Sequence, residues 1–363
     1  MPIGCFLSGG IDSATIAAKM QALSPNKVKT FSIGFEEDAF NEAPQAKKIA
    51  THLGTDHHET IITTAESLDM AKDAHTAYDE PFSDSSQIPT LLVSKTARQH
   101  VTVALSGDGG DEVFGGYNRY RAVQKLWPLI SKMPPFLKVG AKNMILLLSP
   151  LLNHNFSKSA LQANGNLKET LQKMAHVFCS DSIEDFYYKL TSHKIPLTHL
   201  PLPHLKPEQR FSHLEPFEHF QYWDLIDYLP NDILTKVDRA SMHTGLEARV
   251  PLLDHRIVER AWQLPTNTKL RHGESKWLLR QILEKHVPKS IYSGPKRGFA
   301  TPLSTWLKGP LKKWAEEIIH TDNSFVDKEK AIKIWQQHQT DRHDYGTQIW
   351  TVISFNLWHQ NHM

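Results

Sequence analysis

Short apolar runs alternate with stretches of helical spacing through the first third of the chain. Ile3–Leu7 is an apolar run of strand length, and Ala14–Leu23 then has helical spacing. Val28–Phe35 ("VKTFSIGF") reads as a second strand. Asn41–Leu53 reads as a helix with Asn41 as its cap and Gly54 as its stop. His57–Ile62 is a third strand, Ser67–Tyr78 and Ile88–His100 are helical, and Val101–Leu105 ("VTVAL") is a fourth strand, apolar enough to be buried on both faces. Strands alternating with helices predict a parallel sheet joined by right-handed crossovers.

After about residue 120 the strand signal fades and helical spacing takes over. Ile195–Pro207 ("IPLTHLPLPHLKP") carries four prolines and predicts a surface loop. The segment 234–256 reads as one helix and the turn after it. The apolar stretch Met144–Leu152 predicts a buried helix or a helix end, far short of a membrane span. The expected organisation is α/β, a parallel sheet of about five strands with flanking helices over residues 1–122. A mostly helical part follows over 123–363.

Composition narrows the function classes. With 363 residues, 40% hydrophobic and 22% charged, the chain is an ordinary globular sequence. A net charge of +2 argues against a nucleic-acid partner, and no membrane partner is expected. The 21 His read as scattered surface and core residues. Two Cys, Cys5 and Cys179, fit a reducing cytoplasm and cannot build a disulfide framework.

Two loops carry the candidate chemistry. The first strand runs into Ser8-Gly9-Gly10-Ile11-Asp12-Ser13, just before a helix. Paired glycines let backbone approach an anion, and the helix N-terminus attracts phosphate. The Ser8 and Ser13 hydroxyls can donate to phosphate oxygens. Asp12 would repel phosphate unless a divalent cation lies between them. No Lys follows, so this is not the common Gly-rich loop of nucleotide hydrolases. "SGGIDS" between a strand and a helix resembles the pyrophosphate loop of enzymes that cleave ATP between its α and β phosphates. The fourth strand ends in "SGDGGDEVFGGY", residues 106–117, with five glycines and three acids before Tyr117. Strand C-termini form the ligand crevice of a parallel sheet, so this loop faces the first. Asp111 can then share magnesium with Asp12, and Ser106 and Gly107 offer contacts to the nucleotide. Asp108 stands where a reacting group would lie.

Downstream, 234–242 and 245–256 alternate charged and apolar positions, and Gly294-Pro295-Lys296-Arg297-Gly298-Phe299 sets a cation between glycines. Together "SGGIDS", "LGTDHHE", "LSGDGGDEVFGGY", "DRASMHTGLEARVPLLDHR" and "PKRGFATP" resemble the asparagine synthetase family, in its synthetase half, from Pro2 to about Leu307. The resemblance implies an adenine nucleotide alpha hydrolase-like fold, with ATP and Mg2+ as cofactors. Ser8, Gly9, Gly10, Asp12 and Ser13 would hold pyrophosphate, and Asp111 would join Asp12 on the metal. Leu7, Ile33 and Gly107 would meet the adenosine part through backbone, and Lys296 would neutralise charge on the phosphoryl group. Residues of about 232–300 would return to the active site.

The implied reaction activates a carboxylate, aspartate first, as an acyl-AMP that ammonia attacks to give the amide. Asp108 would orient ammonia and remove its proton. Three departures qualify the match. The family's N-terminal glutaminase domain, with its cysteine at residue 1 of the mature chain, does not precede this strand. Cys5 lies inside the strand, so this chain alone is not expected to hydrolyse glutamine. Asp108 stands where many asparagine makers carry Glu, and the stretch 79–86 ("DEPFSDSS") lacks an arginine that would grip aspartate. The alternatives are amidation of a sugar uronic acid or other carboxylate for surface polysaccharide, or a chain that binds ATP without turnover. A separate glutaminase domain or subunit and a homodimer are the protein partners left open.

Overall fold

The computed structural model describes residues 2–36, 41–152, 167–192, 197, 211, 213–294, 301–340 and 343–363. Its contacts divide the chain into two compact units. One comprises 1–115, 195–202 and 225–363, the other 116–194 and 203–224. The division expected at residue 122 therefore does not separate these units. Chain order misleads here because the C-terminal helices return to the sheet and only an excursion from it packs separately.

The first unit opens with β1 (Ile3–Phe6), α1 (Ile11–Leu23), β2 (Lys29–Phe35), α2 (Ala43–Leu53), β3 (Asp56–Ile62), α3 (Thr64–Asp73), α4 (Gln87–Arg98), β4 (Val103–Leu105) and α5 (Gly110–Phe114). Local chemistry sets several boundaries. Asn41 Oδ1 accepts from the Ala43 amide at 3.0 Å, Pro44 stands in the first turn of α2, and Gly54 ends it in the left-handed region at φ 70°. Thr63 and Glu66 form a reciprocal capping box, which starts α3 before the expected Ser67. The remainder of the expected Ser67–Tyr78 helix tightens to a 3₁₀ turn over Ala74–Ala77.

The second unit is helical, with α6 (Asn118–Ile130), α7 (Pro135–Leu152), α8 (Leu167–Val177), α9 (Ile183–Thr191) and α10 (Pro216–Trp223). Tyr120, Phe186, Phe217 and Phe220 are wholly buried in it, with rings packed at 5.4 Å (Tyr120–Phe217) and 5.9 Å (Phe186–Phe220). Arg119 pairs with the fully buried Asp224 at 2.8 Å, and the Tyr187 hydroxyl donates to the same carboxylate at 2.7 Å. The Met144–Leu152 stretch is the end of α7, and Met144 and Leu147 are exposed rather than buried.

The chain then adds α11 (Thr235–His243) and β5 (Glu247–Arg249) to the first unit. The sequence reading ran 234–256 as one helix and turn. Instead Gly245, at φ 72°, turns the chain out of α11 and Glu247–Arg249 pairs with β4. A three-residue strand is too short to show a period of two. The described residues after 250 are otherwise mostly helical, including α12 (His255–Trp262) and α13 (Trp277–Leu283).

All five strands are parallel, in the order β3-β2-β1-β4-β5. Two buried clusters cover the sheet, as a doubly wound architecture requires. One gathers Phe31, Ile33, Ile88, Leu91, Trp306 and Trp350; the other gathers Cys5, Leu7, Ala14, Ile49, Leu279 and Leu283. β1 connects to β2 on one side and neighbours β4 on the other, so the strand order reverses between β1 and β4. Both candidate loops leave the sheet at that point. Of the expected Ile195–Pro207 loop only Leu197 is described; it is buried, and its carbonyl accepts from Asp327 N at 2.9 Å. Lys296 and the rest of "PKRGFA" lie outside the described residues. Among the described residues no helix is long and apolar enough to cross a membrane.

Candidate active site

The first loop is drawn together by its two serines. Ser13 Oγ lies 3.0 Å from Ser8 Oγ and accepts from Ser8 N at 3.2 Å. Gly9 takes φ 78°, which a side chain would resist. No side chain caps α1, and Ala14 N makes its first helical bond, to Gly10 O at 3.0 Å. The first-turn amides precede the helix's own hydrogen bonds, and Gly10, Asp12 and Ser13 at the N-terminal end of α1 line the cleft.

The second loop closes on the first at van der Waals distance. A Cβ placed on Gly107 would fall 2.5 Å from Ser13 N and 2.8 Å from the Asp12 carbonyl carbon. One on Gly110 would fall 2.5 Å from the Asp12 carboxyl carbon. Glycine is required at both positions because another loop fills the space a side chain needs. Ser8, Gly10, Asp12 and Ser13 from one loop, and Ser106, Gly107, Asp108 and Asp111 from the other, line a single cleft. Phe6, Glu42, Thr90, Val93, Lys236 and Val237 complete its walls.

Asp12 and Asp111 meet at one cation, the ammonium of Lys276. Its Nζ contacts Asp12 Oδ2 and lies 2.6 Å from Asp111 Oδ1, and the Lys276 side chain is 5% exposed. Burial alone would lower its pKa, but the two carboxylates outweigh burial and hold it above the ordinary lysine value. Lys276 also has φ 56°, a left-handed conformation that costs a non-glycine residue on the order of 1 kcal/mol. The strained residue caps α13 and carries its charge to a point two other elements define. Two hard oxygen donors converging on a cation fit magnesium, which commonly binds through one or two carboxylates and completes its shell with water and phosphate. Among the described residues no larger group of His, Cys, Asp or Glu gathers as a cage.

A second buried lysine, Lys236, lines the cleft itself. Lys236, on α11, donates to Asp84 Oδ2 at 2.6 Å and Ser86 Oγ at 2.7 Å. Burial opposes its charge, yet Asp84 and Asp232 raise its pKa. Burial and the neighbouring Asp84 push the Asp232 carboxyl up to about 6. Asp108 is half-buried; loss of solvent there raises its pKa against the Ser106 hydroxyl, which donates to it at 2.6 Å. Such a carboxylate is a stronger base than an exposed one.

The expected site residues fall into three groups. Ser8, Gly10, Asp12, Ser13, Ser106, Gly107, Asp108 and Asp111 share the cleft. Leu7, Gly9 and Ile33 do not line it with side chains. Leu7 N donates to Phe31 O at 2.8 Å, and Ile33, two residues beyond Phe31, presents backbone to the same side past the end of β1. Lys296 is not described. Lys276 was missed, although a lone lysine opening the apolar run "WLL" was its signal. Lys236 was read only as part of a charged helix. Cys5 lies inside β1, and burial pushes its thiol up to about 12, so it is no nucleophile.

The sheet and crevice define a class: doubly wound proteins that set a glycine- and serine-bearing loop against an acidic loop at the switch point. Within it, the asparagine synthase family model matches residues 1–360, and the chain belongs to that family. It is 32% identical over 363 residues to asparagine synthetase [glutamine-hydrolyzing] 1 of Bacillus subtilis, covering 99% of this chain and 56% of that protein. A putative asparagine synthetase [glutamine-hydrolyzing] of Mycobacterium bovis is 32% identical over 361 residues, covering 98% and 54%. Amidase chyE of Penicillium rubens is 23% identical over 377 residues, covering 90% and 54%. The chain thus spans about half the length of the curated relatives it matches.

Proposed function

We propose that this chain forms an amide from a carboxylate and ammonia at the expense of ATP, with aspartate as the acceptor. The carboxylate oxygen attacks the α-phosphorus and pyrophosphate leaves. Ammonia then attacks the acyl-AMP, AMP departs, and one proton is released. The convergence of Asp12, Asp111 and Lys276 between two loops at the switch point carries this reading.

Amides at the start of α1 and the Ser8 and Ser13 hydroxyls bind the pyrophosphate portion. Lys276 offsets charge on the same oxygens as the α–β bond breaks. Magnesium, held by Asp12 and Asp111, would add neutralisation of the leaving pyrophosphate. Gly107 and the backbone beside Leu7 and Ile33 receive the nucleoside. Lys296 remains part of the proposal through the family motif. Asp108, its basicity raised by burial, takes the proton from ammonia. Lys236, which lines the cleft with Thr90 and Val93, gives the acceptor carboxylate a cation, where the stretch 79–86 supplies none itself.

The lack of an arginine in the stretch 79–86 supports a second reading in which the chemistry stays and the acceptor changes, a sugar acid being the first candidate. Pyrophosphate release is measured with ATP, magnesium and ammonium, adding aspartate or a uronic acid. Release that depends on aspartate is expected. Release only with the uronic acid overturns the acceptor, and no release with either overturns the ligase reading. Ammonia from glutamine would require a separate glutaminase domain or subunit.

A further inference from the structure

A second cavity lies in the first unit, bounded by α3, α4 and the end of α11. Its volume is about 430 Å³, within the range of small-molecule sites. Leu91, Lys95 and Arg98 line it from α4. Their spacing puts them on one face of that helix, while Thr90 and Val93, which line the cleft of the two loops, fall on another. On α11, His243 lines the cavity and Lys236 lines the cleft, about 10 Å apart along the helix axis. The same two helices therefore wall two separate hollows.

The cavity's positive charge is uncompensated. Lys95 and Arg98 face a single acid, Asp73, and among the described residues neither cation has a hydrogen bond or ion pair with it or with any other group. Other exposed arginines sit on carboxylates: Arg239 is 3.1 Å from Asp79, Arg249 2.7 Å from Glu247, and Arg256 2.8 Å from Asp254. Arg98 instead runs beside the Gly245 turn, its Nε 3.6 Å from where a Cβ on that glycine would lie. Gln99, His243 and Thr244 add hydrogen-bonding groups to the lining. Leu91 is buried and Met70 half-buried, so the same hollow also offers apolar surface. Two cations one turn apart suit a dianion, and a guanidinium fork matches two oxygens of a phosphate. Apolar surface beside them suits an organic body attached to that phosphate.

We propose that this cavity binds a small phosphate monoester, with its phosphoryl group on Lys95 and Arg98 and its organic body against Leu91 and Met70. The site shares no lining residue with the cleft of the two loops and does not depend on the proposed reaction.

Isothermal titration of the full chain with phenyl phosphate tests it. Binding is expected, weakening as salt shortens the screening length. Inorganic phosphate, which has no apolar body, should bind more weakly. Benzoate, with the same ring and a single charge, should bind about tenfold more weakly or worse. Lys95→Ala with Arg98→Ala should weaken the binding of phenyl phosphate about tenfold or more. Both positions are exposed, and circular dichroism melts check that the variant folds. Ser8→Ala with Ser13→Ala alters the loop at the start of α1 and should leave phenyl phosphate binding unchanged. No binding at low salt overturns the proposal, as does binding indifferent to Lys95→Ala with Arg98→Ala. Binding lost with Ser8→Ala and Ser13→Ala would place the ester in the cleft and overturn it as well. Affinity for benzoate or inorganic phosphate equal to that for phenyl phosphate would overturn the ligand class.

Discussion

The Lys276 ammonium lies 2.6 Å from a carboxylate oxygen of Asp111, although they stand on elements far apart in the chain. It contacts Asp12 as well, so three separate segments fix one cation point beside the N-terminus of α1. The site is a charge arrangement before it is a catalytic one, and its parts can be tested separately.

Lys276→Gln leaves two partly buried carboxylates facing each other. Pyrophosphate release should fall about a hundredfold or more, the scale of losing a transition-state charge partner. Stability should fall by about 3 kcal/mol, as when one member of a buried ion pair is removed. Added magnesium should restore part of the melting temperature in the variant and do less for the parent, whose lysine already sits between the acids. Equal magnesium shifts in both would refute a shared cation point.

Asp12→Asn removes one of the two carboxylates and should abolish turnover with every acceptor, while circular dichroism retains the native spectrum. Surviving pyrophosphate release would contradict the assignment of Asp12 to the metal.

Gly107→Ala tests the meeting of the loops. Its new methyl group would lie 2.5 Å from the Ser13 amide nitrogen, a backbone atom with no rotamer to yield. Destabilisation of about 1–3 kcal/mol is expected, with loss of ATP-dependent pyrophosphate release. A melt and a turnover rate both within error of the parent would show that the loops do not touch.

The Asp232 carboxyl has its pKa raised to about 6, chiefly by burial and then by Asp84. Between its ordinary value of about 3.9 and that figure, the folded chain binds a proton that the unfolded chain releases, so this group's contribution falls as pH rises through the window. Asp232→Asn is neutral throughout and lacks that decline. Its melting temperature should gain on the parent's between pH about 4 and about 6 and level off above. A constant difference across that range would show that Asp232 does not titrate there.

Much of the frame was legible in the chain. Three of the strand signals come from β-branched and apolar runs whose burial is dictated locally, and Asn41 by its side-chain oxygen and Gly54 by lacking a side chain announce the ends of α2. The two catalytic-looking loops were legible because glycines, acids and serines seldom gather after a strand without a ligand. β5 was not, since Glu247–Arg249 becomes a strand only by pairing with β4. Lys276 was not, because its one local sign, a lysine opening the apolar run "WLL", does not say which distant carboxylates it will meet.

By itself the sequence determined the alternation of strands and helices, the two loops, and the residue types able to hold phosphate and metal. Tertiary structure alone decided that a lysine from α13 reaches the point where Asp12 and Asp111 meet, and that residues 116–194 and 203–224 pack as a unit of their own. Turn and strand preferences act over a few residues and are written in composition. Electrostatic pairing acts through space, and only the folded chain sets which distant charges become neighbours.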